Sequence, residues 1–522
     1  KETAIAAEAP VEEIVPEPRR SVAFIGSECY PFVKTGGLGD VMYALPKALV
    51  ALNCDVKVIL PRYKCIPQEY QDKMIYRGAF SMDLCADGRK FYVGIMEYVM
   101  DGVVYDFIDN EDFFSWGNPY TNLVDDIPKY CFFSKAALAV LNYLNWTPDV
   151  IHCHDWQAGM IPALLKIQYA HLPFYANMHT VFTIHNLQYQ GIFGIKDVQD
   201  ILGLGDSLWT DDKLECYGCA NYMKAALVYT DLITTVSPSY SEEIQTAYYG
   251  ERLDGLIRAR KASVYGVLNG IDMVDYDPAK DRYITANYSA ADMSGKTACK
   301  KALQEKLGLR VDPEVPIIGM VGRLNNQKGL DLVDYIISDL LNTNVQLVVL
   351  GMGDSRYVNL FSWAESQYPG KMAARFAMDN QLAHEIYAGT DMFLMPSQFE
   401  PCGLSQLIAL RYGSVPIVRE TGGLRDTVLS YNEYTGDGNG FSFFNYNAHD
   451  MLHVIERAQT YYWEHKDVWK LLQQRGMTGD YSWGQSAAKY LTLYQGICGL
   501  APLPRDGAPA SSGPNPVVVE EP

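Results

Sequence analysis

The feature that most constrains this chain is an alternation that runs twice. Short β-branched or apolar runs are separated by stretches of helical periodicity, and the pattern restarts after a polar interval. Ser21–Gly26 (SVAFIG) reads as a buried strand, followed by a Gly-rich loop, a helix through Ala51 and a second strand at Val56–Leu60. Further strands are expected at Phe91–Met96, Val103–Ile108, Asp149–Cys153, Val181–Ile184, Leu232–Val236 and Val264–Leu268. A polar stretch over 272–315 leads to Pro316–Val321, Gln346–Leu350, Asp391–Met395 and Val415–Val418. Strands separated by helices need crossover connections, so parallel α/β sheets are expected. A chain of 522 residues is also too long for one core. We therefore expect two doubly wound, Rossmann-like domains at 21–270 and 273–480, hinged near 270–275. A helical segment in 481–500 is expected to return to the first domain. The acidic, Pro-containing residues 1–20 and the Pro-, Gly-, Ala- and Ser-rich residues 501–522 are expected to be disordered. Such sheets bind ligands at the carboxyl ends of their strands, so two facing sheets place the chemistry in a cleft.

Charge narrows what that cleft serves. The formal net charge of −19 argues against nonspecific binding to nucleic acid or an anionic membrane. An acidic protein that holds an anion must concentrate cations locally, so Lys and Arg beside glycine loops become informative. No apolar run reaches the ~18 residues of a membrane span, and residues 1–20 lack the apolar core of a signal peptide. The 11 cysteines read as reduced thiols of a cytoplasmic protein. Cys216-Tyr-Gly-Cys219 has no second ligand pair nearby and reads as buried thiols, not a zinc site.

Several loops carry candidate chemistry. Lys34-Thr35-Gly36-Gly37-Leu38-Gly39-Asp40 follows the first strand and opens a helix. Its glycines admit close backbone approach, the helix N-terminus attracts anions, and Lys34 reaches toward a diphosphate. It is neither a Walker loop nor a dinucleotide fingerprint, and a Gly-Gly pair is also an ordinary tight turn. Gly322-Arg323-Leu324-Asn325-Asn326-Gln327-Lys328-Gly329 holds the same position after the first strand of the second half. Arg323 can fork a diphosphate and Lys328 can act as a point charge; two solvated surface cations are the plainer alternative. Glu400, in Phe399-Glu400-Pro401-Cys402-Gly403-Leu404, sits on a strand-end loop as a sugar-hydroxyl acceptor or a neighbour of a helix cap. Thr421-Gly422-Gly423 offers further N–H groups to phosphate. His152-Cys-His154-Asp155-Trp156 and His185-Asn186 also follow strands. Two His and an Asp resemble a metal site superficially, but no third His ligand is evident. Asp155 suits hydroxyl recognition and Trp156 a flat apolar sugar platform. His185 is either a sugar contact or a satisfied core histidine.

Taken as an ordered set, these segments resemble bacterial glycogen synthases and the related plant starch synthases. The matching stretches are KTGGLGD (34–40), HCHDWQAG (152–159), TIHNLQYQG (183–191), TVSPSY (235–240), VLNGID (267–272), GRLNNQKG (322–329), FEPCGLSQL (399–407) and TGGLRDT (421–427). The resemblance runs from about Ser21 to about Cys498. It implies a GT-B fold and a metal-independent, retaining transfer of glucose from ADP-glucose to the end of an α-1,4-glucan, with no cofactor. It implies that Lys34, His185, Arg323, Lys328 and Glu400 serve catalysis. Gly36, Gly37, Asp40, Asp155, Trp156, Asn186, Asn269, Cys402, Gly403, Leu404, Thr421, Gly422 and Gly423 are implied as substrate contacts. Related retaining transferases often carry a second Glu at the position held here by Ile408, so no second carboxylate is claimed.

On this reading Lys34, Arg323, Lys328 and backbone N–H groups stabilise a departing diphosphate. The acceptor hydroxyl attacks from the same face, and Glu400 orients hydroxyls and balances positive charge on the sugar. The alternatives are a UDP-glucose enzyme, a starch-type synthase, a phosphorylase, or an inactive glucan-binding regulator. A phosphorylase would need a longer chain with a pyridoxal lysine. An inactive regulator would be expected to have lost Lys34, Arg323, Lys328 or Glu400. Bacterial-type motifs and the lack of a transit-peptide pattern favour glycogen as product. Oligomeric state is not legible.

Overall fold

The computed structural model describes residues 20–84, 87–115, 118–121 and 123–503; the expectations for residues 1–19 and 504–522 lie outside these. The first half contains β1 (Ser21–Ile25), β2 (Asp55–Pro61), β3 (Ile75–Asp83), β4 (Lys90–Met100), β5 (Val103–Asp109), β6 (Val150–His154) and β7 (His179–Ile184). Three short strands follow, β8 (Ile192–Phe193), β9 (Glu215–Cys216) and β10 (Cys219–Asn221), then β11 (Leu232–Thr235) and β12 (Val264–Gly266). The main sheet has the order β12-β11-β7-β6-β1-β2-β5-β4-β3. It is parallel from β12 through β5, with β4 and β3 antiparallel at one edge. That edge departs from the all-parallel expectation for a local reason. Asp101 and Gly102 both take positive φ (53° and 79°), and this two-residue turn pairs Met100 with Val103 as a hairpin. Cys216 and Cys219 face each other across the β9–β10 hairpin as free thiols.

The second half forms a six-stranded sheet from β13 (Ile317–Val321), β14 (Gln346–Leu350), β15 (Met372–Arg375), β16 (Met392–Met395), β17 (Val415–Arg419) and β18 (Phe441–Phe443). Its order is β15-β14-β13-β16-β17-β18, parallel throughout. Both faces are buried, because successive side chains alternate. Leu347 and Val349 of β14 enter one core, while Val348 and Leu350 enter another.

The chain crosses between halves twice, side by side. Ile271 N–H donates to the Tyr481 carbonyl at 2.8 Å, and a Cβ on Gly270 would lie 2.7 Å from the backbone of Ser482 and Trp483. After the return crossing, the helix Trp483–Ile497 joins the first core through Trp483, Tyr490, Leu493 and Tyr494. Loops that follow strands in both halves meet directly. Ser237 donates to the Pro401 carbonyl (2.6 Å), and Asp426 accepts from both the N–H and the hydroxyl of Ser239 (2.8 and 2.7 Å). The carboxyl ends of the two sheets thus face one another.

Candidate active site

The glycine loop after β1 is organised by a residue that sequence reasoning missed. Glu28 is 3% exposed. Its carboxylate accepts from the Thr35 N–H, the Thr35 hydroxyl (3.1 Å), the Gly36 N–H (3.3 Å) and the Tyr120 hydroxyl (3.1 Å). Burial raises its pKa, and these donors oppose that rise. The loop's first free N–H groups are thereby committed to protein. A Cβ on Gly36 or Gly37 would meet none of the described residues within 4 Å, which leaves room among them over the start of the helix Gly37–Ala51. Lys34 pairs with Asp40 at 2.7 Å, with side chains 41% and 33% exposed. Such a pair is worth at most about 1 kcal/mol, which leaves the ammonium available to an anion.

Three histidines line up behind this loop. His152 bonds the Tyr494 hydroxyl through Nδ1 (2.7 Å) and the Thr183 hydroxyl through Nε2 (2.6 Å). His154 Nδ1 lies 2.9 Å from His185 Nε2, while His154 Nε2 is buried without a partner among the described residues. Desolvation lowers the pKa of all three, that of His185 to about 3. They are neutral at pH 7, and His152 is spent on structure. Among the described residues no three His, Cys, Asp or Glu side chains are arranged to hold a metal.

Asp155 stands at the end of this row in a backbone conformation, φ 56° and ψ 179°, that is nearly confined to glycine. Its Oδ1 accepts the His185 N–H at 2.8 Å. Burial pushes its carboxyl up to about 7, against the pull of the His185 and Asn186 N–H groups. A strained carboxylate with a shifted pKa at a cleft is a functional signature. The sugar-platform expectation for Trp156 is corrected. The indole is 8% exposed and packs edge-on among Tyr130, Phe193 and Tyr222. It supports the strand end and offers no open face.

In the second half, Arg323 is exposed just past β13. Lys328 Nζ lies 2.6 Å from Glu400 Oε2, which also accepts from the Ser397 hydroxyl at 3.0 Å. A cavity of about 30 Å³ between these strand ends is lined by Gly322, Arg323, Lys328, Met395 and Ser397 among others. Gly329 has φ 69°, and a Cβ there would lie 2.0 Å from the Pro396 carbonyl oxygen. Only glycine lets the Lys328 loop rest against the strand that leads to Glu400. Cys402 is buried, with its thiol pushed up to about 12 by desolvation and opposed by a backbone bond to Asn269. Gly403 takes φ 71° and Leu404 is half-buried.

The Thr421-Gly422-Gly423 turn also departs from expectation. Glu243 of the first half accepts from the Thr421 hydroxyl (3.1 Å) and the Gly422 N–H (2.9 Å), and Gly423 N–H donates to the Glu400 carbonyl (3.1 Å). These donors are taken, so they do not point at a phosphate. The turn instead braces the Glu400 loop and carries part of the contact between halves. A Cβ on Gly422 would lie 2.0 Å from the Glu400 carbonyl oxygen at φ 46°. Gly422→Ala is accordingly expected to cost about 2–4 kcal/mol of stability, read by urea unfolding; a loss below about 1 kcal/mol would mean that the turn yields freely.

Two facing sheets, with cation-bearing loops and carboxylates at their carboxyl ends, define a two-domain glycosyltransferase of the GT-B fold. Residues 21–259 match the family model described as starch synthase catalytic domain, and residues 302–468 match glycosyl transferases group 1. The chain is 50% identical to glycogen synthase of Clostridium novyi over 91% of its length and 99% of the relative's. It is 52% identical to glycogen synthase of Geobacillus stearothermophilus over 91% of its length and 97% of the relative's. The solved catalytic domain of starch synthase IV from Arabidopsis thaliana, bound to ADP and acarbose, superposes with a TM-score of 0.83 at 34% identity, covering 92% of this chain and 100% of that one. Sucrose-phosphate synthase from Thermosynechococcus elongatus, at 17% identity and a TM-score of 0.59, shares the fold over 92% of this chain and 100% of its own. The chain belongs to the glycogen synthase family and is a glucosyltransferase that takes glucose from a nucleotide sugar to elongate a glucan.

Proposed function

We propose that the donor is ADP-glucose and that glucose passes with retention to the non-reducing end of an α-1,4-glucan, forming glycogen in the cytoplasm. The observation that carries this reading is the Lys328–Glu400 pair at 2.6 Å beside Arg323, on a sheet edge that faces the loops of Lys34, Asp155 and His185. The likeness to a starch synthase bound to ADP and acarbose supports the choice of base and acceptor. Arg323 and Lys328 take up charge on the departing diphosphate, and Lys34 reaches it from the opposite half. Neutral His185 and the carboxylate of Asp155 address sugar hydroxyls. Glu400 holds Lys328 in place and orients the transferred glucose. Gly36 and Gly37 leave room for the donor to approach the helix N-terminus. Closure of the halves excludes water and limits hydrolysis. Reduced thiols suit the cytoplasm, and no helix among the described residues is long and apolar enough to cross a membrane.

The test is an initial-rate comparison of ADP-glucose and UDP-glucose with maltoheptaose, with the new linkage read by NMR. ADP-glucose is expected to be at least tenfold better in kcat/KM, with an α-1,4 product. Faster extension from UDP-glucose would overturn the choice of donor, and a β-linked product would overturn retention.

A further inference from the structure

We propose that His154 is a positioning residue that fixes the tautomer of His185, so that His185 meets the transferred glucose as a neutral donor through its Nδ1–H; the sugar contact rests on the glucosyl-transfer reading above. His154 ends β6, and His185 follows β7, the neighbouring strand. His154 Nδ1 and His185 Nε2 are 2.9 Å apart. Both rings are neutral, because burial disfavours the charged form of each. One of these two nitrogens therefore carries the shared proton and the other accepts it.

Two arrangements satisfy that bond. In the first, His154 donates from Nδ1 and its Nε2 is a bare lone pair. His185 then accepts at Nε2 and carries its own proton on Nδ1. In the second, His185 donates from Nε2, and His154 must carry its proton on Nε2. That atom is buried without a partner among the described residues, in a side chain that is 0% exposed. The second arrangement thus strands a buried N–H, which folded proteins tolerate less often than an under-used acceptor. The neighbouring rings do not relieve it. The His152 centroid is 4.1 Å from that of His154, yet both His152 nitrogens are committed, Nδ1 to the Tyr494 hydroxyl and Nε2 to the Thr183 hydroxyl. Phe24 is stacked on His154 at 5.2 Å, and a stacked ring does not lie in the path of an in-plane N–H.

The first arrangement changes what His185 shows to the cleft. A free neutral imidazole keeps its proton mainly on Nε2 and would leave Nδ1 bare. With Nε2 occupied by His154, His185 offers Nδ1–H instead. This Nδ1 makes no hydrogen bond among the described residues, yet it is not sealed away as His154 Nε2 is. The residue is half-buried, and its backbone N–H is anchored by the Asp155 carboxylate at 2.8 Å. A sugar hydroxyl that reaches both residues accepts from His185 and donates to ionised Asp155, so it has one orientation. A bare Nδ1 would set two acceptors against that hydroxyl and leave its oxygen unpaired. The support extends further back. Tyr494 belongs to the returning helix Trp483–Ile497 and holds His152, which packs on His154. The return crossing thereby contributes to the shape of the site.

The experiment is nitrogen NMR of the full chain with isotope-labelled histidine. There are nine histidines, and His154→Phe and His185→Gln assign two of them by loss of signal. At pH 7 both rings are expected as the neutral Nδ1–H tautomer; His185 with its proton on Nε2 would overturn the proposal. His154→Phe keeps a flat ring and removes the donor. There the His185 signal should move to the Nε2–H form, and kcat/KM with ADP-glucose and maltoheptaose should fall about tenfold, the effect of one hydrogen bond left unmade. His154→Asn can set an amide N–H at the Nδ1 position and should stay within about threefold of wild type. A rate for His154→Phe within about twofold of wild type, or an equal fall in both variants, would overturn the positioning role. If His154→Phe does not fold, the wild-type spectrum still decides the tautomer, and a fall beyond about tenfold in folded His154→Asn would overturn the role. Failure of the wild-type enzyme to transfer from ADP-glucose would instead refute the functional reading and leave the tautomer assignment standing.

Discussion

Lys328→Ala should lower kcat by about 10²–10³, the usual effect of removing one preorganised contact to a developing negative charge. Lys328 is placed for that role. It is half-buried, fixed by the Glu400 carboxylate at 2.6 Å, and borders the small cavity at the end of β13. The same substitution should also cost stability, because Glu400 would remain buried with Ser397 as its one side-chain partner among the described residues. Breaking a fully buried pair from one side typically costs about 3–5 kcal/mol, and the 23% exposure of the Lys328 side chain places this cost below that range. Glu400→Ala is expected to lower turnover at least tenfold by freeing Lys328 to wander and by removing the orienting carboxylate. The double variant separates the two effects. With both charges gone, the melting temperature should recover part of the loss seen in Lys328→Ala, while activity stays at the level of the worse single variant. Residues that act as a unit are non-additive in this way. A kcat for Lys328→Ala within tenfold of wild type, measured well below the variant's own melting temperature, would falsify the leaving-group role.

What could be read from the sequence follows from how local each determinant is. The β13 and β16 loops were legible because strand, loop and charge lie next to one another: Gly322–Gly329 after one apolar run and Phe399–Leu404 after another. The Asp101-Gly102 turn carried its own hairpin signature, so the antiparallel edge was available to a reader who weighed it. β15 (Met372–Arg375) was not legible. It is four residues long, has no β-branched side chain, and is a strand through its pairing with Leu347, Val348, Val349 and Leu350 of β14. Glu28 was missed for a different reason. Its importance lies in which donors it meets, namely Thr35, Gly36 and Tyr120, and one of them is distant in sequence. Asking where the free N–H groups of the glycine loop go would have suggested a nearby acidic residue, and Ser27-Glu28-Cys29 is the obvious candidate. Trp156 and the Thr421–Gly423 turn show the opposite failure. Their residue types suited sugar and phosphate, but the packing of Tyr222 against the indole and the reach of Glu243 across the cleft are tertiary facts that residue type does not contain.

The second large effect is expected at Asp155, and it is visible as pH dependence. Burial raises this carboxyl to about 7, the His185 and Asn186 N–H groups oppose the rise, and the Glu28 charge adds to it. The neighbouring histidines are neutral across this range, because burial holds His185 near 3 and His154 well below its usual value. The phosphates of a nucleotide sugar are esterified and lose their protons in far more acidic solution. Asp155 is therefore a group of the site expected to titrate near pH 7 on the free enzyme. If its carboxylate supports positive charge on the transferred glucose, log(kcat/KM) should rise with a slope near 1 as pH approaches 7 and then level. Asp155→Asn keeps the acceptor for the His185 N–H but removes the charge. It should lie about 10² below wild type at pH 8 and show no inflection near 7. Stability gives an independent readout with the opposite sign. The folded-state pKa lies above the ordinary value of 3.8, so between about pH 4 and 7 the native state keeps a proton that the unfolded chain has lost. Asp155 thus makes the protein less stable as pH rises through that window, and Asp155→Asn should flatten this slope in melting temperature. An unchanged acid limb in Asp155→Asn, with unchanged pH dependence of melting, would remove Asp155 from the reaction and leave its strained backbone without a functional account.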